Sequence, residues 1–226
     1  MSGAPVRLAD GLWHWRARHP EWHPGEFGRE VGSFAVDAHG VVLLVDPLLP
    51  AEPGAVLAAL DEIVGDRLAI VVTIPYHVRS SEELWRRYRD RADVTIHGHP
   101  AAARRLRDAS AFRAVEPGDA LPGGVTAHAI GRPRRYEMPL HLPSHRALCF
   151  GDAMVVTPQG DLRVWLAERV DERRLHWYRE RLMPTLEPLL ELDVERVLVT
   201  HGKPVLHDGH AALRAALDAE PWYHHA

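Results

Sequence analysis

The order of apolar segments along this chain of 226 residues constrains its fold more than any other feature. Strand-like runs at 31–37 and 41–46 are joined by an Ala-His-Gly turn, and helical and strand patterns then alternate over 54–97. Further strands within 125–150 precede a helical pattern at 171–190, another strand and a last helix. Two such halves bury their sheets by packing them face to face. The sequence therefore predicts an α/β protein, more narrowly an α+β four-layer αββα sandwich.

Residues 1–226 are predicted to form a single domain with a core at about 8–217, because no linker-like segment divides the chain. Residues 6–16 are predicted as one strand with Trp13 and Trp15 on the same face. The helical pattern at 171–190 is expected to kink at Pro184. His224 and His225 are expected to belong to a frayed tail.

Composition excludes several classes of function. A net charge of −4 provides no broad basic surface, so nucleic acid is not an expected partner. Cys149 is the only cysteine, which rules out an intrachain disulfide and a multi-cysteine metal site. The sequence has neither a secretory signal nor an apolar run of membrane-spanning length, so we expect a cytoplasmic protein that does not bind membranes. The sequence leaves open whether the protein forms a homodimer.

Three strand-ending motifs carry a family resemblance. An apolar run ends in Asp46-Pro47, a second ends in Gly151-Asp152, and a third ends in Thr200-His201-Gly202. In this order the motifs resemble those of the metallo-β-lactamase-fold superfamily, and the likeness extends from about Leu8 to Leu217. The resemblance implies that Asp152 and His201 occupy metal-ligand positions and that Asp46 is a scaffold residue.

The sequence departs from that family where metal ligands are expected. The superfamily motif H-x-H-x-D-H corresponds to Thr-Ile-Pro-Tyr-His-Val-Arg-Ser over 73–80. One register places Ile74, Tyr76, Val78 and Arg79 at the metal positions. Shifting by one residue places His77 on the second histidine. The family's middle histidine also has no counterpart, since the nearest residue is Arg132.

These departures argue against the usual pair of metal ions. A catalytic zinc ion generally needs three protein ligands and an open position for water, and a nearby guanidinium repels a dication. We therefore expect no metal cofactor. The alternative is a single zinc or other divalent ion held by His201, Asp152 and His77.

Two hypotheses for function follow. In the first, the chain is a metal-free binding protein or pseudoenzyme that holds a small anionic molecule, or an unidentified protein partner, in a cleft. Arginine suits such a ligand because its guanidinium presents a forked set of donors. The predicted ligand-binding residues are Tyr76, Arg79, Arg132 and Trp22, with Arg132 in a basic cluster that includes Arg134 and Arg135.

In the second hypothesis, the chain is a hydrolase of the superfamily with altered chemistry. Its catalytic residues would be His201, Asp152 and His77, acting on an ester, thioester, amide or phosphoester. One version uses a single metal ion. The metal-free version uses His201 as general base, with Arg79 or Arg132 stabilising negative charge.

Overall fold

The computed structural model describes residues 4–24, 26–134, 136–166, 169 and 171–224. The first sheet has seven strands in sequential order, antiparallel from β1 to β4 and parallel from β4 to β7. Its strands are β1 (Val6–Ala9), β2 (Leu12–Arg18), β3 (Glu30–Ala38), β4 (Val41–Val45), β5 (Arg67–Val72), β6 (Asp93–Gly98) and β7 (Phe112–Ala114).

The second half of the chain supplies a five-stranded sheet in the order β14-β11-β10-β9-β8 and a small sheet in the order β12-β13-β15. The strands are β8 (Ala120–Leu121), β9 (Val125–Ala127), β10 (Leu140–Leu142), β11 (Ala147–Phe150), β12 (Met154–Val156), β13 (Leu162–Leu166), β14 (Arg196–Val199) and β15 (Trp222–Tyr223). β11 and β14 are parallel neighbours.

Among the described residues, six α-helices connect these strands. They are α1 (Gly54–Ile63), α2 (Ser81–Tyr88), α3 (Pro100–Ala103), α4 (Glu172–Arg181), α5 (Met183–Leu186) and α6 (Gly209–Asp218). Within the described ranges, none of these helices combines the length and apolar character needed to cross a bilayer.

Side-chain alternation along the buried strands produces the layers. On β4, Leu43 and Val45 point into a core between the two main sheets, where they join residues such as Leu140 and Leu198. The alternate β4 residues pack instead against α1 and α2 on the outer face of the first sheet. The outer face of the second sheet is covered in the same way by α4, α5 and α6. The predicted αββα sandwich is therefore confirmed.

The N-terminal segment differs from its prediction. Residues 6–16 do not form one strand, because a turn at Asp10 and Gly11 separates β1 from β2. Gly11 has a φ of +67°, a conformation that glycine adopts without steric cost. Trp13 and Trp15 do share a face, and both pack towards the helices of the first half.

The C-terminal segment also differs. β15 pairs in parallel with β13, and His224, which follows β15, is 7% exposed. The expectation of a frayed tail was therefore wrong for His224, while His225 lies outside the described residues. The predicted kink is present, since α4 ends at Arg181 and the short α5 begins before Pro184.

Gly202 offers a test of how tightly the sandwich closes beside His201. Its φ is +95°, and a Cβ atom there would lie 2.2 Å from the carbonyl oxygen of Val156. Gly160 has a similar φ of +98° but open space around it. We expect Gly160→Ala to lower the free energy of unfolding by about 1–2 kcal/mol, the cost of the backbone conformation alone.

Gly202→Ala should cost at least about 2 kcal/mol more, because the Val156 strand must also move. Urea unfolding of both variants and the parent protein measures the difference. Equal losses in the two variants would show that the contact with Val156 is not restrictive.

Candidate functional site

The candidate site lies where four strands of the two main sheets end. Asp46 follows β4, Thr73 follows β5, and Asp152 and His201 lie just beyond β11 and β14. Because β4 pairs with β5 and β11 with β14 as parallel strands, their carboxyl ends share one edge of the sandwich. Crevices at such edges are where open α/β sheets place their ligands. The strand-ending motifs of the sequence thus meet at one place.

Asp46 is the centre of a buried hydrogen-bond network. Its carboxylate accepts from the backbone N–H of Thr73 (2.8 Å), from Thr73 Oγ1 (2.5 Å) and from His77 Nδ1 (2.8 Å). Its main-chain carbonyl accepts from Ser33 Oγ and Arg79 Nη1, both at 3.0 Å. Asp46 has a φ of +47°, a strained conformation that persists only where the surroundings enforce it. It fastens the loop after β5 to the first sheet.

His77 links Asp46 to Asp152. The residue lies in a 3₁₀ turn at Pro75–Val78, and this turn directs its Nδ1 towards Asp46. On the other side of the ring, Nε2 lies 3.3 Å from Oδ1 of Asp152, which is also 3.6 Å from Nε2 of His201. These are ion-pair distances, since Asp152 Oδ1 has no hydrogen-bond partner of good geometry among the described residues. Asp46, His77, Asp152 and His201 therefore form a chain of contacts in which carboxylates and imidazoles alternate.

The charges along this chain of contacts are set by their neighbours. Burial and the charge of Arg79 lower the pKa of His77, but Asp152 and Asp46 outweigh both and raise it to about 9. Burial opposes ionisation of Asp152, yet its pKa lies well below the usual range because His77 and His201 favour the carboxylate. His77 is consequently an imidazolium between two carboxylates at neutral pH.

His201 has the opposite character. Burial lowers its pKa below the usual value, although its contact with Asp152 acts in the other direction. The ring packs against Trp165 and Phe27, with centroid distances of 5.0 and 5.9 Å. Its Nδ1 is buried without a hydrogen-bond partner among the described residues. His201 is therefore a neutral imidazole with an unused ring nitrogen.

Arg79 places a second cation in the same region. Burial lowers the pKa of its guanidinium, and the charges of Asp46 and Asp152 partly offset this effect. Its backbone φ of +36° is unfavourable for a residue with a Cβ atom. Within the described part of the chain, no carboxylate lies within the 4.0 Å of an ion pair from this guanidinium. Its buried Nε also has no hydrogen-bond partner there.

Glu137 supports the turn that carries Asp152 and was not identified from the sequence. One of its carboxylate oxygens accepts hydrogen bonds of 3.0 Å from the backbone N–H groups of Gly151 and Ala153. Burial and the nearby charge of Asp152 raise the pKa of Glu137 to about 7, although Arg134 acts against them. No sequence signal marks this residue, because a single glutamate in an irregular segment is usually exposed.

A cavity of about 250 Å³ adjoins these groups. Its aromatic lining consists of Trp22, Phe27, Tyr76 and Trp165. His77, Arg79, Asp152 and His201 contribute polar groups, and Glu21, Glu26 and Arg105 add further charges. The structure thus gathers six of the seven predicted site residues around one cavity.

Arg132 is the predicted residue that the structure does not bring to the cavity. It is exposed and does not contribute to the lining. Its neighbour Arg134 turns inward instead and lies 5.7 Å from the ring centroid of Trp165. Arg135, the third member of the predicted cluster, lies outside the described residues. The sequence indicated a basic segment, but it could not indicate which arginine packs against Trp165.

Comparison with solved structures identifies the architecture. The chemotaxis sensor ODP, solved as a peroxy diiron species, superposes with a TM-score of 0.64 over 98% of this chain and 96% of its own, at 14% identity. TMB-1, solved in a study of substrate and inhibitor binding, gives a TM-score of 0.65 at 11% identity over 96% and 98% of the two chains. The chain has the metallo-β-lactamase fold. A metallo-β-lactamase from Erythrobacter litoralis is similar at 14% identity, with a TM-score of 0.64 over 95% and 94%.

Sequence comparison alone does not reach this conclusion. No protein-family model matches the sequence, and none of the curated proteins compared with it is similar. At identities of 11–14%, the structural neighbours establish the metallo-β-lactamase fold and nothing about activity.

The residues present do not fit the metal centre that the metallo-β-lactamase fold implies. In the described ranges, no group of three or more His, Cys, Asp or Glu side chains is arranged to hold a metal ion. The guanidinium of Arg79 adds a fixed charge that would repel a dication. His77, which lies within ion-pair distance of both carboxylates, is the side chain that balances Asp46 and Asp152 here.

The imidazolium state of His77 can be tested by NMR. We expect the ring nitrogens of His77 to titrate at about pH 9 and those of His201 below the usual histidine range. In Asp152→Asn, the His77 pKa should fall by at least about 1 unit, because one of its two carboxylate partners is removed. His14, whose pKa burial lowers to about 4, is an internal control that should not move. A His77 titration at its ordinary pH in the parent protein would contradict the assigned charge.

The raised pKa of Glu137 predicts a specific pH dependence of the free energy of unfolding. Its pKa is about 7 in the folded state against 4.5 in the unfolded chain, so the folded state holds a proton that the unfolded state releases between these values. Glu137 should therefore lower the free energy of unfolding by about 3 kcal/mol as the pH rises from 4.5 to 7. Glu137→Gln keeps an acceptor for Gly151 and Ala153 but cannot ionise.

Denaturant unfolding of the parent and Glu137→Gln proteins over this pH range isolates the effect. The stability of the variant relative to the parent should increase steadily with pH. A constant difference between the two proteins would show that Glu137 does not titrate in this window.

Proposed function

We propose that this protein is a metal-free receptor for a small anion, which binds in the cavity beside Arg79 and Arg105. The observation that carries the proposal is the partly buried Arg79 guanidinium, whose Nη1 donates to the main-chain carbonyl of Asp46. It lines the cavity, its Nε is buried without a hydrogen-bond partner, and no described carboxylate forms an ion pair with it. Taking a charge out of water without an ion-pair partner is costly, and an anionic ligand would supply that partner.

Arg105 provides a second cation at the mouth of the cavity. Its guanidinium lies 4.1 Å from the ring centroid of Tyr76, which is 64% exposed. This cation–π contact holds the charge at the entrance. No ion pair joins Arg105 to a carboxylate among the described residues. The two arginines can therefore contact one ligand from the inside and from the entrance.

The aromatic lining does not favour a cationic ligand. Arginines already lie within 6.0 Å of the ring centroids of Tyr76 and Trp22, and Arg134 lies over one face of Trp165, 5.7 Å from its centroid. An aromatic cage for an organic cation would need such faces to be free. His77 carries a further positive charge beside the cavity. The combination favours an anion over a cation.

Acetate binding tests this proposal. Titration with sodium acetate at fixed ionic strength, followed by NMR shifts of protein treated with a chelator, should give saturable binding at the cavity. Arg79→Gln and Arg105→Gln should each weaken the affinity at least about tenfold, since each removes a charged donor. Arg104→Gln is the matched control, because Arg104 is exposed on the same segment and does not line the cavity. Absence of binding, or binding that requires added metal, would overturn the proposal.

One observation favours a second function, metal-free ester hydrolysis. His201 is neutral and its Nδ1 is unpartnered, so it could accept a proton from water while Arg79 stabilises the developing oxyanion. Hydrolysis of p-nitrophenyl acetate that is lost in His201→Gln and resists chelation would support this function. Background rates in the parent protein would eliminate it.

A further inference from the structure

We infer that the ligand of this cavity is a small aromatic carboxylate, with its ring held beside Phe27 and Trp165 and its carboxylate beside Arg79 and Arg105. The inference rests on the proposed anion site and adds the chemical class of the ligand. Three features carry it: the charge of the cavity, the character of its lining and its size.

The charge of the cavity favours a monoanion. Asp152, Glu21 and Glu26 all line the cavity, and Asp152 Oδ1 lies 3.3 Å from His77 Nε2. A phosphate dianion would meet these carboxylates with twice the charge of a carboxylate ligand. A guanidinium also matches the planar, two-oxygen geometry of a carboxylate. The balance of charges therefore favours a carboxylate over a phosphate monoester.

Phe27 and Trp165 form a supported aromatic wall. Phe27 packs edge-on against Trp222 of β15, with the ring centroids 4.9 Å apart, and its centroid lies 6.2 Å from that of Trp165. Trp165 is itself 8% exposed, and its ring centroid lies 5.0 Å from that of His201. Because these rings are packed against one another, little conformational entropy is lost when a ligand ring joins them. Aromatic pairs add attraction beyond that of buried area alone.

Trp165 supplies an independent sign of a missing partner. Its side chain lines the cavity, and its indole Nε1 is buried with no hydrogen-bond acceptor among the described residues. Buried indole N–H groups usually have a partner in folded proteins. A ligand that carries acceptor oxygens would satisfy this donor, whereas a hydrocarbon would not.

The size of the cavity limits the ligand to about one ring. Its volume of about 250 Å³ falls below the usual range for sites that enclose drug-sized molecules. Benzoate is therefore a suitable probe. Acetate carries the same charge without the ring, cyclohexanecarboxylate replaces the ring by a saturated one of similar size, and phenyl phosphate keeps the ring but changes the anion.

Calorimetric titration with these four compounds at fixed ionic strength tests the inference. Benzoate should bind at least about tenfold more tightly than acetate, because ring burial adds to the charge contact. It should also bind at least about threefold more tightly than cyclohexanecarboxylate and more tightly than phenyl phosphate. Phe27→Leu, which keeps apolar bulk, should weaken benzoate binding more than acetate binding and so remove most of the advantage of benzoate. Phe112→Leu, at a partly buried position outside the cavity, is the matched control.

The outcomes separate this inference from the proposed function. Equal affinities for benzoate and acetate would overturn the aromatic ligand while leaving the anion site intact. Equal affinities for benzoate and cyclohexanecarboxylate would overturn the aromatic character of the ligand. Tighter binding of phenyl phosphate would overturn the carboxylate. If neither acetate nor benzoate bound, the anion site itself would fail.

Discussion

The contact between His77 and its two carboxylate neighbours is the interaction on which the rest of the site depends. Asp46 and Asp152 come from different halves of the sandwich, and the imidazolium between them offsets their mutual repulsion. Without that positive charge, two buried carboxylates would face each other across the junction of the sheets, at a cost of several kcal/mol. In the proposed metal-free site, the proton on His77 would take the electrostatic role that a metal ion has in a dinuclear site.

Under the proposed function, the use of His77 and Arg79 as cations in place of metal ions would affect more than charge. A metal ion can exchange its water and polarise a substrate, whereas an imidazolium or a guanidinium can only donate hydrogen bonds. Arg79 and His77 therefore favour holding an anion in place over activating a nucleophile. The fold is retained because its stability comes from the core between the sheets and from the two helical layers, none of which needs an ion.

The sequence predicted the architecture and three of the polar positions, because apolar runs that end in Asp46, Asp152 and His201 carry both strand pattern and motif. It could not resolve His77, because neither linear register of the loop shows that a 3₁₀ turn directs the ring towards Asp46. Glu137 could not be identified from the sequence because its role depends on the backbone N–H groups of Gly151 and Ala153, which only folding brings close to it.

Two further differences have local causes. The segment at 6–16 is predicted as one strand because the alternation of side chains continues on both sides of Asp10 and Gly11. In the structure these two residues form a turn between β1 and β2. Arg132 and Arg134 are equivalent by composition, and only the path of the loop decides which of them reaches Trp165. Sequence patterns thus identified elements and charge, while loop geometry decided which side chains meet.

The packing of Phe27 against Trp222 has a consequence for β15. One wall of the cavity is braced by this two-residue strand, and Trp222 also pairs with Trp165 of β13. A substitution in β15 would therefore reach the recognition surface through both aromatic residues of the wall, without altering either arginine that faces the ligand.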